Sequence, residues 1–280
     1  LQLEGHGREA LFEDQDLTRT VGWFTSVFPV KLTPASTLGE SIKAIKEQLR
    51  AIPNKGIGYG ALRFLGDAAA RQALNDLPVP RITFNYLGQF DGSFSQDDAL
   101  FSPASEAHGS DSSAEAPLGN WLSISGKVYD GRLRLDWSFS QAMFDPAPMQ
   151  ALADAYVQAL AELIEHCCDE RHAGVTPSDF PLAGLAQPQL DALGVAPAAI
   201  EDIYPLAPMQ QYLLQHELHD AVAGDFVNQM CMDLDGVDPE RLRQAWQAAM
   251  DHHPILRTRF AWAAPLAAPV QVVHRQVRLP

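Results

Sequence analysis

The sequence is short of cysteine, of basic residues and of long apolar runs. Its 3 cysteines among 280 residues comprise an adjacent pair, Cys167 and Cys168, and a lone Cys231. That set cannot build a disulfide framework, and without Cys-x-x-Cys spacing or partner ligands it is not a zinc set. No metal site is expected, and all three read as reduced structural residues. Lys and Arg number 20 against 35 acidic residues, a formal charge of -15. A nucleic-acid partner is therefore not expected, because such binding rests on clustered Lys and Arg. No apolar run approaches spanning length, and no charged segment leads into an apolar stretch as a signal peptide would. A membrane partner is not expected either, and the chain reads as cytosolic or as part of something cytosolic.

The apolar (46%) and charged (20%) fractions are those of a globular chain long enough for one large domain or two ordinary ones. It opens without Met, in the apolar/polar alternation of a strand, with Glu4, His6, Arg8 and Arg19 close together. Both ends are expected to be cut through structure. From Arg8 to Thr20 charge accumulates and a loop is expected. Val21–Leu32, "VGWFTSVFPVKL", is apolar, β-branched and aromatic, and is expected to be buried. Gly22, Thr25 and Ser26 leave room there for something to approach the backbone. In "STLGESIKAIKEQLRAIP", Thr37 and Glu40 fit a capping box, Ile42, Ile45, Leu49 and Ile52 share one face, and Pro53 stops the helix. The glycines at 56, 58 and 60 follow a helix rather than a strand and lack Gly-Lys-Ser/Thr, so they read as tight turns and not as a phosphate loop.

"RITFNYLGQF" (Arg81–Phe90) alternates as a strand, and residues 91–119 read as a long exposed loop. "WLSISGKVY" and "RLRLDWSFS" are strands joined at Asp130-Gly131, a strong hairpin signal, with Leu133, Leu135, Trp137 and Phe139 on one face. Trp23, Phe24, Trp137 and Phe139 are expected in the core. Asp145 and Pro146 open a helix whose stripe runs from Met149 through Tyr156 to Leu163. Residues 169–199 are Ala/Pro/Gly-rich and read as a linker. A second unit follows, with a helix in "PLAPMQQYLLQHEL", a strand in Phe226–Gly236, a helix in "DPERLRQAWQAAMDHHP", and strands in "ILRTRFAW" and "PVQVVHRQVRL".

Four motifs stand in order: "EGHGRE" (Glu4–Glu9), "RTVGWFT" (Arg19–Thr25, with Pro29 beyond), "PNKGIGYG" (Pro53–Gly60) and "FNYLGQFD" (Phe84–Asp91). Their order and spacing resemble the epimerization domain of nonribosomal peptide synthetases, over residues 1–168. "TPSDFPLAGL" (Thr176–Leu185) resembles the segment joining such domains. "IEDIYPLAPMQQYLL" (Ile200–Leu214) and "HPILRTRF" (His253–Phe260) resemble the start of a condensation domain, over residues 200–280. The resemblance implies an α+β fold of the chloramphenicol acetyltransferase type (the CoA-dependent acyltransferase type). Residues 1–168 would be the C-terminal lobe of an epimerization domain, and 200–280 an incomplete second lobe of the same type. Each complete domain would hold its site in a tunnel between two lobes.

It also implies the chemistry. An L-aminoacyl or peptidyl thioester on a carrier protein loses its Cα proton and regains it on the opposite face. This needs a base and an acid flanking Cα, and stabilisation of the enolate oxygen. A histidine of a His-His-x-x-x-Asp motif would supply one side from the N-terminal lobe, which this chain lacks. Glu4 would supply the other, so the fragment alone is expected to be inactive. Asn85 and Tyr86 are candidates to bind the thioester or enolate; alternation puts them on opposite faces, so only one reaches the tunnel. His6 and Arg8 would order the loop and pair with acids such as Glu9. Arg19 would anchor the loop or meet the carrier's phosphate. No cofactor is expected to bind directly; 4'-phosphopantetheine arrives on a peptidyl carrier protein domain. The other expected partners are the missing N-terminal lobe and the rest of the downstream condensation domain.

His252-His253 imitates the missing motif, but position 257 is Arg where Asp should stand, and the pair reads as a helix end. Two other functions remain open: an amide-forming condensation lobe, against which "PNKGIGYG" argues, and an inactive lobe that only docks a carrier.

Overall fold

The computed structural model describes residues 1–9, 11–89, 106, 109, 113, 115–117, 119–219 and 229–279. The chain forms two compact units, Leu1–His166 and Cys167–Pro280. The expected loop at 91–119 lies mostly outside the described residues.

The first unit is built on a five-stranded mixed sheet. Its strands are β1 (Gln2–Gly5), β2 (Ser26–Pro29), β3 (Ile82–Gln89), β4 (Leu122–Tyr129) and β5 (Arg132–Phe139), in the order β2-β1-β3-β4-β5. β1 runs antiparallel to β2 and parallel to β3; β3 runs parallel to β4, and β4 antiparallel to β5. Between β2 and β3 the chain passes through α1 (Leu38–Arg50), α2 (Gly58–Leu65) and α3 (Ala68–Asn75); α4 (Pro146–Cys168) follows β5.

Local chemistry accounts for the punctuation. Thr37 Oγ1 accepts the Glu40 backbone N–H at 3.3 Å and donates to the Glu40 carboxylate at 3.0 Å, which ties down one of the helix's unpaired amides. Asp130 (φ 54°) and Gly131 (φ 63°) both take the left-handed conformation that a two-residue hairpin of matching twist requires.

Register divides the sheet into two faces, since residues level across neighbouring strands point the same way. Leu3, Phe28, Phe84, Ile124 and Trp137 form one apolar row. On this side Leu122, Ile124 and Met149 are buried, packed by Phe84, Leu135, Trp137, Phe139 and Phe144. The Trp137 ring meets the edge of Tyr156 on α4 at 5.8 Å. Each such side chain removed from water contributes about 1.5–3 kcal/mol. The opposite face is polar: Gln2, Thr83, Ser123 and Ser138 form one row, and Asn85, Ser125 and Asp136 the next.

Val21–Leu32 is not a buried segment. Val21 is 98% and Trp23 92% exposed, and only Phe28 and Val30 are buried. Trp23 is therefore not core. Its neighbour Phe24 is engaged instead by the first motif, with the Arg8 guanidinium 4.2 Å above its ring, so residues 21–25 lie along a loop, and burial begins only where β2 joins the sheet.

The second unit holds α5 (Gln187–Asp191), β6 (Ile200–Pro205), α6 (Pro208–His219), α7 (Pro239–His252), β7 (Thr258–Ala261) and β8 (Val270–His274). Its sheet is antiparallel, in the order β6-β8-β7. Residues 169–199, expected as a linker, put Phe180, Leu190 and Leu193 into one core with Ile200, Ile203, Val270 and Val272. No strand forms over 229–236, where Met230 and Met232 are largely exposed; an alternating pattern without a ladder partner is not a strand. Phe226–Asn228 lie outside the described residues. Buried Arg257 donates to Glu201 Oε2 at 2.6 Å, to the Met250 and Arg275 carbonyls at 2.9 and 3.1 Å, and to that of His274. This guanidinium ties the C-terminus of α7 to the ends of β6 and β8, where cations suit the helix dipole. His252 and His253 stack edge to face at 4.7 Å, and α7 ends there.

Candidate functional site

Glu4 sits on β1, half-buried, on the polar face of the first sheet. Parallel pairing of β1 with β3 sets Leu3 level with Phe84, and the next residue on each strand turns to the same side. There Asn85 Nδ2 donates to Glu4 Oε2 at 2.8 Å. The second carboxylate oxygen, Oε1, has no hydrogen-bond partner among the described residues. One oxygen is thus held in place by the neighbouring strand. Such a carboxylate is suited to accept or return a proton at a fixed point.

Tyr86 faces the other way. Its ring lies over Gly126, where an added Cβ would come 3.4 Å from it, and it is half-exposed. Of the two candidates on β3, the structure brings Asn85 to Glu4 and leaves Tyr86 on the apolar side. His6 and Arg8 order the loop after β1. His6 Nδ1 accepts the Arg8 backbone N–H at 3.0 Å, and its Nε2 meets Glu9 Oε1 at 3.3 Å. The neutral ring with hydrogen on Nε2 satisfies both contacts. Arg8 pairs with no acid among the described residues; it donates to the Leu17 carbonyl at 2.8 Å and covers Phe24. Gly7 (φ 67°) must be glycine, because a Cβ would fall 1.6 Å from the Phe24 carbonyl oxygen. Arg19 is exposed and has no hydrogen bond or ion pair among the described residues.

The polar row beside Glu4 has members that the motifs do not single out. Asn120 donates to Thr83, and Thr83 to Gln2 Oε1 at 3.4 Å. The signal was present in the alternation: Gln2 and Glu4, like Thr83 and Asn85, stand two apart on a strand. Among the described residues there is no cluster of three metal-ligating side chains, and all three cysteines are exposed.

The four motifs, far apart in sequence, thus meet around one end of β1. "EGHGRE" bonds "FNYLGQ" through Glu4 and Asn85, packs on "RTVGWFT" through Gly7, Arg8 and Phe24, and pairs with "PNKG" through Glu9 and Lys55 at 2.7 Å. The first unit is thus a mixed sheet with helices on its connections and a carboxylate on its polar face, an α/β arrangement. The chain belongs to the condensation domain family, which matches residues 1–182 and 200–280.

Its relatives include two linear gramicidin synthase proteins of Brevibacillus parabrevis, 44% and 42% identical over 99% of this chain. The chain spans only 4% and 5% of those proteins. Bacitracin synthase 3 of Bacillus licheniformis is 34% identical over 94% of the chain, which spans 4% of it. Among solved structures, the epimerization domain from the third module of tyrocidine synthetase B is 40% identical, with a TM-score of 0.52. That match covers 59% of this chain and 36% of the other. The chain is thus a condensation-type segment of the nonribosomal peptide synthetase kind. No helix among the described residues is long and apolar enough to cross a membrane.

Proposed function

We propose that residues 1–168 are the C-terminal lobe of an epimerization domain, and that residues 200–280 begin a condensation domain. In this reading the lobe acts on an L-aminoacyl or peptidyl thioester presented by a carrier-protein domain on 4'-phosphopantetheine. The carrier's arm is covalently its own, so this lobe needs to bind only the thioester end. The Cα–H bond breaks, its proton passes to a base, and its electron pair delocalises onto the thioester oxygen as an enolate. A proton returned to the opposite face gives the D form. Glu4 serves on one face, and a histidine from the domain's other lobe serves on the other.

The observation that carries this reading is the Glu4–Asn85 contact at 2.8 Å on a polar sheet face. Asn85 acts as the group that orients Glu4. The similarity to a solved epimerization domain supports the assignment.

The family match itself favours a second reading, an amide-forming condensation lobe. Chiral analysis of the group released from a loaded carrier in the intact synthetase separates the two. A mixture of L and D forms at the thioester-bound residue before transfer to a downstream acceptor supports the epimerase. A purely L group that is transferred to a downstream acceptor supports the transferase and removes the epimerase.

A further inference from the structure

The motif Pro53–Gly60 has no part in this chemistry, yet it reaches the loop that follows Glu4. Its turn is unusual: Asn54 (φ 47°), Lys55 (φ 51°) and Gly56 (φ 82°) are all left-handed. Gly56 has to be glycine, because an added Cβ would lie 2.3 Å from the Phe28 ring. Asn tolerates the left-handed region, whereas the Cβ of Lys crowds the following carbonyl there. Turn geometry alone thus favours Asn or Gly at position 55. Lys55 instead contributes an ion pair, its Nζ donating to Glu9 Oε2 at 2.7 Å across 46 positions. Glu9, with its side chain only 15% exposed, turns its other oxygen to His6, and His6 accepts the Arg8 amide. A continuous chain of contacts therefore runs from the α1–α2 turn into the loop beginning at the end of β1.

We propose that Lys55 is a positioning residue. The Lys55–Glu9–His6 chain latches the Gly5–Glu9 loop, and through it the end of β1 that carries Glu4. The latch stands on these contacts alone. Its consequence for proton transfer rests on the reading of Glu4 given above.

Lys55→Asn separates the latch from the turn, because it relieves the left-handed conformation while deleting the ammonium. In the 280-residue chain, amide hydrogen exchange at Arg8 reads the latch directly. Lys55→Asn and Glu9→Gln should each speed that exchange by about three- to fivefold, the scale of a partly exposed ion pair. Lys55→Asn should keep or raise the melting temperature, and Lys55→Arg should retain protection. In the intact synthetase, Lys55→Asn and Glu9→Gln should lower kcat for Cα exchange by a similar factor, with carrier loading and KM unchanged. The double variant should lose no more than either single one. Unchanged Arg8 protection in both single variants overturns the latch, whatever the reaction. Lost protection with full Cα exchange overturns its link to Glu4. A wild-type synthetase without Cα exchange overturns the reading of Glu4 and that link together, and Arg8 protection then decides the latch by itself.

Discussion

Asn85 on β3 donates its side-chain amide to Glu4 on β1 at 2.8 Å, joining residues 81 positions apart. The contact holds one carboxylate oxygen and leaves its twin unbonded among the described residues, so the geometry of the pair can be tested apart from any reaction.

Asn85→Asp replaces the donor with a second carboxylate. The two ionised groups repel at neutral pH, and stability should fall by about 1–2 kcal/mol. In the folded variant the pair holds a proton more tightly than in the unfolded chain. The deficit is therefore present above the folded pKa of the pair and disappears as pH falls through it. Thermal melts between pH 8 and pH 5 should show the variant approaching wild type on acidification. A deficit independent of pH would mean that the two groups do not face each other.

Two glycines should be far less replaceable than a third. Gly7→Ala places a Cβ 1.6 Å from the Phe24 carbonyl oxygen, and Gly56→Ala one 2.3 Å from the Phe28 ring. Gly131 is also left-handed (φ 63°) but has nothing within 4 Å of its Cβ position. Gly131→Ala should cost about 1 kcal/mol, from backbone conformation alone. The other two should cost about 2–4 kcal/mol by displacing packed atoms. Urea melts of the three variants check the ranking.

Arg257 should dominate the stability of the second unit. Its side chain is 5% exposed, and Glu201 and four carbonyl groups accept from it. Arg257→Met leaves that cluster of acceptors without a donor and should cost about 3 kcal/mol. Arg257→Lys should recover only part, because an ammonium cannot reach several acceptors in a plane. Denaturant titration followed at Trp246 or Trp262 would register the loss.

Tyr204 on β6 donates to Asp202 at 2.5 Å, and this bond to the carboxylate holds its phenol above the ordinary tyrosine pKa. A group whose folded pKa is raised stabilises the fold below its unfolded pKa, and that contribution is lost as pH rises through the folded one. Absorbance titration should show one tyrosine ionising late, and Asp202→Asn should return it towards the others.

Local structure was legible wherever one short stretch carried its own cause. Thr37 and Glu40 announce the start of α1, and Asp130-Gly131 announces the hairpin, because caps and tight turns are decided within a few residues. Apolar composition did not reveal the exposure of Trp23, since it does not say which side of a loop meets water; that depended on Arg8 and Gly7 gripping Phe24. The strand expected near Met230 lacks a ladder partner, which no local pattern reveals. The order of the four motifs pointed to the family. Their convergence on one end of β1, through Asn85 and Lys55, depends on strand pairing and was visible only in three dimensions.

The role of Glu4 is tested most directly by deuterium uptake from solvent at Cα of an aminoacyl group loaded on the carrier of the intact synthetase. Glu4→Gln keeps the shape and the acceptor for Asn85 but can no longer take up or release a proton. We expect uptake to fall by about two to four orders of magnitude, the usual contribution of a general acid or base, with loading of the carrier unchanged. Uptake at the wild-type rate in that variant would contradict the assignment.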